Sequence, residues 1–285
     1  MDSRRDVAHY YDRNTWRFLR FGGGRSSYAI HRQLWGPGVT TPEAAAVYVN
    51  RRIAEEIRDL FPRGPGDVID MGCGVGGTVF YLADAFSHAR FLGVTISPRQ
   101  RDIAARLANE RDLEERCRFV EDDFQSADLG GVADLVIAIE AFGHSDSPQR
   151  FFAAAAAHLK EGGFAILVDD FLADYSDLGK AAHGHIARLR KGWRLPTLCT
   201  GGECMRSAER CGLRLIKEVD LTDLIRLGRW RDRLIASVSP LFEKLGLTGL
   251  PFFGNMVGGN ALQIGLRDGF LRYRLVLLRR EARGP

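Results

Sequence analysis

Asp70 stands two residues ahead of a glycine loop, Gly72, Gly74, Gly76 and Gly77, at the end of the apolar run DVIDMG (67–72). Glycines at that spacing let the backbone come close to a ligand and leave room for the helix that follows. Glycines 72, 74 and 77 also satisfy G-x-G-x-x-G, so the loop alone is compatible with a dinucleotide. Its neighbours weigh against one. A carboxylate at Asp70 would repel a pyrophosphate and suits an ammonium group. The second apolar run ends in Gly93-Val94-Thr95-Ile96, without the acid that usually meets a nicotinamide cofactor's ribose. Asp123-Phe124, after the third run, offers a carboxylate and an aromatic edge that suit an amino-bearing heterocycle.

A second set of candidates follows the fourth run. Glu140 ends ADLVIAIE (133–140), and His144 lies in the same loop. A carboxylate at the end of a buried strand, beside a ligand edge, is placed to act as a general base. The bland alternatives are a carboxylate that holds backbone and a histidine that packs before the next helix.

These residues need a frame that brings strand ends together. DVIDMG, FLGVTI (91–96), RFVEDD (118–123), ADLVIAIE and FAILVDDF (164–171) read as buried strands, with helices between them. Ser97-Pro98 and Ser147-Pro148 are helix starts, and Gly162-Gly163 is read as the end of the helix that begins at Ser147. Apolar strands alternating with helices predict an α/β fold: a doubly wound, mostly parallel sheet covered on both faces. LRYRLVLLRR (271–280) is expected to add a last strand, for seven in all. The organisation expected is a helical N-terminal cap over 1–66, a ligand-binding core over 67–171, a largely helical cap with sheet elements over 172–260, and a closing strand region over 261–285.

The chain has 285 residues and a formal charge of +4, too little for a nucleic-acid footprint unless the charge is concentrated on one face. Its five cysteines have no framework spacing, which predicts reduced thiols and a cytoplasmic protein. No apolar run reaches the length of a membrane span, and the first residues have no signal-peptide core. His183 and His185 lack partners at metal-ligand spacing.

VIDMGCGVGGT (68–78) resembles motif I of the class I S-adenosylmethionine methyltransferases. Four further segments are similar to the cyclopropane-fatty-acid-synthase-like branch, which includes tocopherol and prenyl-diphosphate C-methyltransferases. They are His9-Tyr10-Tyr11-Asp12, Thr41-Pro42-Glu43-Ala44-Ala45, the stretch Gly93 to Gln100, and Glu140-Ala141-Phe142-Gly143-His144. The resemblance spans about residues 9–171 and implies a Rossmann-like methyltransferase fold that binds S-adenosylmethionine. It implies a cofactor set of Tyr11, Asp70, Gly72, Gly74, Gly76, Thr95, Gln100, Asp123 and Phe124, with Thr95 and Gln100 on the ribose and Tyr10 as the alternative to Tyr11. It implies Glu140 and His144 as the catalytic pair. Cyclopropane synthases also use an N-terminal cysteine, and this chain has none before Cys73, which argues for simple methylation instead.

Tyr10, Tyr28, His31 and Trp35, with Trp16, Phe18 and Phe21, are candidates for a lipophilic acceptor pocket or for a helical core. His31, Arg32, Arg188, Arg190, Lys191 and Arg194 are candidates for a diphosphate or carboxylate, or form a solvated basic face. The expected reaction is C-methylation of an alkene or electron-rich carbon in a small lipophilic molecule, a prenyl diphosphate or related isoprenoid first. Mg2+ is expected only with a diphosphate. The alternative is O- or N-methylation of a small secondary metabolite. No nucleic-acid partner is expected. Pro251-Phe252-Phe253-Gly254 reads as a lid or as a contact in a homodimer or larger homo-oligomer.

Overall fold

A computed structural model describes residues 28–174 and 178–282. A seven-stranded sheet runs through it in the order β3-β2-β1-β4-β5-β7-β6. The strands are β1 (Asp67–Met71), β2 (Arg90–Thr95), β3 (Cys117–Glu121), β4 (Ala133–Ile139), β5 (Leu159–Leu172), β6 (Leu213–Asp220) and β7 (Leu271–Arg280). The first five pair in parallel, and β7 runs antiparallel between β5 and β6. The chain leaves β1 toward β2 and returns to β4 on the other side. This reversal opens a crevice beyond the C-terminal ends of β1 and β4.

Ahead of the sheet lie α1 (Pro42–Ala46) and α2 (Tyr48–Leu60). The two are separated at Val47, whose backbone (φ −100°, ψ 3°) is not helical. Thr41 caps α1 by accepting from the Ala44 N–H. The crossover helices are α3 (Gly77–Ala85), α4 (Pro98–Asn109) and α5 (Pro148–Ala157). Ser97 accepts from the Gln100 N–H at 3.1 Å and Ser147 from the Arg150 N–H at 3.2 Å, so both Ser-Pro starts act as caps.

One expectation needs correction. The helix from Ser147 ends at Ala157, not at Gly162-Gly163, and β5 begins at Leu159. The turn is fixed by the His158 ring, bonded to the Ala127 carbonyl at 3.0 Å, and by Lys160 paired to Asp134 at 2.8 Å. The sixth strand comes from LRLIKEVD, inside the stretch where sheet elements are expected among helices. As an outer strand it needs only one well-covered face, and its charges pair sideways: Lys217 with Glu56 at 2.6 Å and Glu218 with Arg274 at 2.7 Å.

Each sheet face carries an apolar core. One includes Ile53, Ile57, Phe80 and Leu82 from α2 and α3, and the other Phe151, Phe152 and Phe142 beside Ala208. A third core lies beyond the sheet between α6 (Lys180–Trp193) and α9 (Pro251–Arg267). Between these two helices in sequence come α7 (Gly201–Arg210), which packs on α5, and α8 (Trp230–Lys244). The α6–α9 crossing is backbone to backbone. A Cβ on Gly192 would lie 2.3 Å from the Gly254 carbonyl oxygen, and one on Gly258 would lie 2.7 Å from Trp193. The glycine of Pro251-Phe252-Phe253-Gly254 is therefore a packing residue that sets where Trp193 stands.

Candidate active site

A cavity of about 290 Å3 opens over the C-terminal ends of β1, β2, β4 and β5. One side is the glycine loop after β1. Gly72 has φ +91°, and a Cβ there would lie 2.5 Å from Ala141 Cβ, so only glycine lets β1 and β4 converge. Asp70, Gly72, Gly74, Thr95, Gln100, Asp123 and Phe124 all line this side. The Thr95 hydroxyl donates to Gln100 Oε1 at 2.8 Å, which locks the two side chains as a unit. Asp123 Oδ1 accepts from the Gln125 N–H at 2.9 Å, and Phe124 packs edge-on against Phe151.

Asp70 is buried, and among the described residues no donor or cation is bonded to its carboxylate. Burial alone pushes its carboxyl up to about 7. A buried acid without a counter-charge is a site waiting for a cationic ligand group.

The other side is assembled from distant parts of the chain. Glu140 follows β4 in a left-handed conformation (φ 51°), which a non-glycine residue adopts only when its surroundings hold it there. Its Oε1 accepts from the Arg32 N–H at 2.8 Å and from the Tyr273 hydroxyl at 2.9 Å. Among the described residues its Oε2 has no bond, and Glu140 lines the cavity. One oxygen is thus anchored while the other remains able to accept a proton or a hydrogen bond.

Arg32 is held by Asp170 in a two-pronged ion pair, with Nη1 to Oδ1 at 2.6 Å and Nη2 to Oδ2. Its guanidinium lies over the Tyr273 ring at 4.7 Å and near the Trp193 ring at 5.6 Å. Burial would lower the Arg32 pKa, but the Asp170 and Glu140 carboxylates outweigh it and raise it above its ordinary value. Burial pushes the neighbouring Asp169 carboxyl up to about 7, with the Asp170 charge adding to the effect, even though Asp169 accepts from the Gly143 N–H.

His144 lines the cavity, and its Nδ1–H donates to the Arg194 carbonyl at 3.1 Å. His31 lines it too, with Nε2–H donating to Asn50 Oδ1 at 3.1 Å. Burial holds both rings below the ordinary imidazole value, so both are neutral at pH 7 and neither supplies positive charge. Tyr28 also borders the cavity, and its carbonyl rests on Gly77.

Several expected residues lie elsewhere. Trp35 does not line the cavity; its ring packs under the Arg226 guanidinium at 3.5 Å, and its N–H bonds to the Leu224 carbonyl. Gly76 does not line it either. It is a packing glycine (φ +86°) whose Cβ would lie 2.8 Å from Phe119. Arg188, Arg190, Lys191 and Arg194 stay outside: Arg188 pairs with Glu243, and Arg190 bonds to the Leu198 carbonyl at 2.6 Å. Tyr10 and Tyr11, with His9, Asp12, Trp16, Phe18 and Phe21, fall outside the described residues. Among the described residues no three His, Cys, Asp or Glu side chains are grouped to hold a metal ion, His183 and His185 included.

Residues that sequence reasoning missed are Asp169, Asp170, Trp193, Leu195, Asn255 and Tyr273, all but Tyr273 on the cavity wall. Asp169-Asp170 near the end of an apolar strand carried a usable signal, because paired acids in a buried strand need a reason.

A family model described as a methyltransferase domain matches residues 68–163. The chain is 29% identical over 220 residues to the 24-methylenesterol C-methyltransferase 2 of Oryza sativa subsp. japonica, covering 71% of this chain and 58% of that protein. It is 27% identical over 161 residues to the norajmaline N-methyltransferase of Rauvolfia serpentina, covering 53% of each. The chain spans little more than half the length of these curated relatives. The fold is similar to that of a geranyl diphosphate C-methyltransferase from Streptomyces coelicolor A3(2), solved with Mg2+, geranyl diphosphate and S-adenosyl-L-homocysteine. The TM-score is 0.70 over 98% of both chains, at 19% identity. The seven-stranded sheet, the loop that opens the crevice and the matched residues 68–163 together show a methyltransferase domain on a Rossmann-like sheet, similar in sequence to a sterol C-methyltransferase and in fold to a geranyl diphosphate C-methyltransferase.

Proposed function

We propose that the protein methylates an electron-rich carbon of a small lipophilic acceptor, of isoprenoid type, at the expense of S-adenosylmethionine. The observation that carries this reading is Glu140 on the cavity wall, with Oε1 clamped by two donors and Oε2 without a bond among the described residues.

The cofactor's residues fit its groups. Asp70, buried and without a counter-charge among the described residues, would answer the ammonium of the methionine moiety. Gly72 and Gly74 give its backbone room, the Thr95–Gln100 unit meets the ribose, and Asp123 with Phe124 meets the adenine. When bound, the cofactor supplies an electrophilic methyl on a sulfonium. The chain's own residues then align the acceptor with that methyl and exclude water. As the new carbon–carbon bond forms, the acceptor's π pair is consumed and positive charge develops on the neighbouring carbon. Glu140 Oε2 faces that charge and takes the proton whose loss restores the double bond. Neutral His144, with Nε2 as its acceptor nitrogen, orders the acceptor on the same side.

Charge shapes the choice of acceptor. Among the described residues, Asp70, Asp123, Glu140, Asp146, Asp169 and Asp170 line the cavity against one arginine, Arg32, which is already paired. Such a wall receives a bare diphosphate poorly. It suits a neutral isoprenoid that becomes cationic as it is methylated. A magnesium ion on a diphosphate would rely on the diphosphate and water for most of its ligands, and no step here is routed through it. The same excess of acid supports a second reading, N-methylation of an amine, whose cationic product the carboxylates would also stabilise.

The test is transfer from methyl-labelled S-adenosylmethionine to neutral prenyl acceptors, to geranyl and farnesyl diphosphates with magnesium, and to phenols and amines of similar size. NMR then locates the label. Label on carbon is expected. Label only on nitrogen moves the assignment to the second reading, and label only on oxygen overturns both.

A further inference from the structure

The surface of α8 is not explained by the cavity. Eight large hydrophobic residues are exposed among the described residues, and six fall between 230 and 252: Trp230, Leu234, Leu241, Leu245, Leu250 and Phe252. Trp230 is 78% exposed and Leu245 60%. At about 100° per residue, Trp230, Leu234, Leu241 and Leu245 fall within an arc of about 60° on α8 and the residue that follows it. They form one exposed apolar stripe, with Pro240 inside the helix between Leu234 and Leu241.

The charges of the helix are sorted around that stripe. Arg231 lies along one border, and Arg233 and Lys244 along the other. The acids lie on the opposite face and are bonded within the protein: Asp232 accepts from the Arg229 N–H at 3.0 Å, and Glu243 pairs with Arg188. Among the described residues Arg231 and Lys244 have no carboxylate partner, and Arg226 and Arg229 just ahead of the helix add to the same sign. A tryptophan and leucines flanked on both borders by cations is the pattern of a helix lying in a membrane interface, where the apolar side chains enter the acyl boundary and the cations meet anionic headgroups. A second copy of this chain fits less well, because pairing two such stripes would set basic border against basic border.

We propose that α8 is a docking helix that seats this protein on the surface of an anionic lipid bilayer, lying on it and not crossing it. No helix among the described residues is long and apolar enough to span a membrane. The following helix, α9, carries Asn255 to the cavity wall, where its carbonyl accepts from Trp193 Nε1 at 3.1 Å. A seated α8 is thus linked through α9 to one wall of the cavity. The contact itself does not depend on the acceptor, so failure of either reading leaves the other standing.

The test is flotation of the full chain with vesicles of phosphatidylcholine alone and of phosphatidylcholine with about a third phosphatidylglycerol, at low and high salt. The wild type is expected to float with the anionic vesicles at low salt and to be released by salt. Trp230→Ser with Leu241→Ser, and separately Arg231→Glu with Lys244→Glu, should each cut the bound fraction about tenfold or more. Both variants should keep wild-type cofactor affinity by calorimetry, which shows that they fold. The proposal fails if the wild type stays lipid-free, if it binds both vesicle types alike, or if folded stripe variants float as the wild type does. It fails equally if sedimentation shows a wild-type dimer that the stripe variant converts to monomer, since the stripe would then be a subunit contact.

Discussion

The two sides of the cavity are built in opposite ways. The proposed cofactor side is local: Asp70 through Gly74, Thr95 through Gln100, and Asp123 with Phe124 each lie at or just after the end of a parallel strand. The proposed acceptor side takes Arg32 from ahead of α1, Glu140 from the end of β4, Asp170 from β5, Trp193 from the end of α6 and Tyr273 from β7. The first is positioned by strand register and needs few side-chain contacts. The second is positioned by the Arg32–Asp170 pair, the two bonds to Glu140 Oε1 and the glycine crossing of α6 and α9. Electrostatically they also differ. Among the described residues Asp70 has no bonded partner, whereas Glu140 is tied down by Arg32 and Tyr273.

Substituting one carboxylate on each side should separate the sides most sharply. Asp70→Asn removes the partner of the cofactor's ammonium, and cofactor affinity by calorimetry should fall about 100-fold or more. The same change should stabilise the ligand-free protein at pH 8 by about 3–4 kcal/mol, because the native carboxylate ionises in a site that opposes it. Retained affinity would remove Asp70 from the cofactor site. Glu140→Gln keeps an oxygen to accept from Arg32 and Tyr273 but cannot take a proton. Turnover should fall about 100-fold with cofactor affinity within about twofold of wild type. A parallel loss of both would mean that Glu140 serves binding.

The next effect is one of pH. Asp70 in the folded, ligand-free chain is raised to about 7 from an ordinary 3.8, so the folded state holds its proton longer than the unfolded state does. Its ionisation therefore erodes stability as pH rises from about 4 through 7, and the bound ammonium reverses that cost. Cofactor affinity should strengthen about tenfold between pH 5.5 and 7, and the rise should vanish in Asp70→Asn. A flat profile in the wild type would mean that another cation already meets Asp70. Asp169 is also raised to about 7 but sits at the β5 end, so its share of the stability loss should persist with cofactor bound.

This division explains what the sequence could disclose. Strand-end residues such as Asp70, Thr95 and Glu140 were legible because apolar runs mark the strands and the loops follow at once. The same logic found β7 but passed over β6, whose exposed alternate residues are charged and whose single covered face leaves a weak apolar signal. Tyr273 and Trp193 were invisible for another reason. Nothing in LRYRLVLLRR or in a basic helix says which neighbour 133 residues away a side chain will meet, and only closure of the sheet by β7 sets Tyr273 beside Glu140. The basic third left two readings open, because composition cannot tell a cation that faces a ligand from one paired on a helix surface, as Arg188 is with Glu243.

Trp35 marks the border of the acceptor side, and it gives the smallest expected effect. It lies only three positions after Arg32, so the aromatic pattern around them suggests one shared pocket. The backbone turns between them: the Arg32 N–H bonds to Glu140, while the Trp35 N–H bonds to the Leu224 carbonyl and its ring stacks on Arg226. Trp35→Leu should therefore leave the acceptor KM within about twofold of wild type. Losing the ring-on-guanidinium contact should lower stability by about 1 kcal/mol, read as a small drop in melting temperature. A large rise in KM with no change in stability would move the border of the acceptor side past Trp35, and the pocket would then continue along the stretch that leads to Arg226. A drop in stability alone would confine acceptor recognition to the walls that Arg32, Glu140 and Trp193 already define.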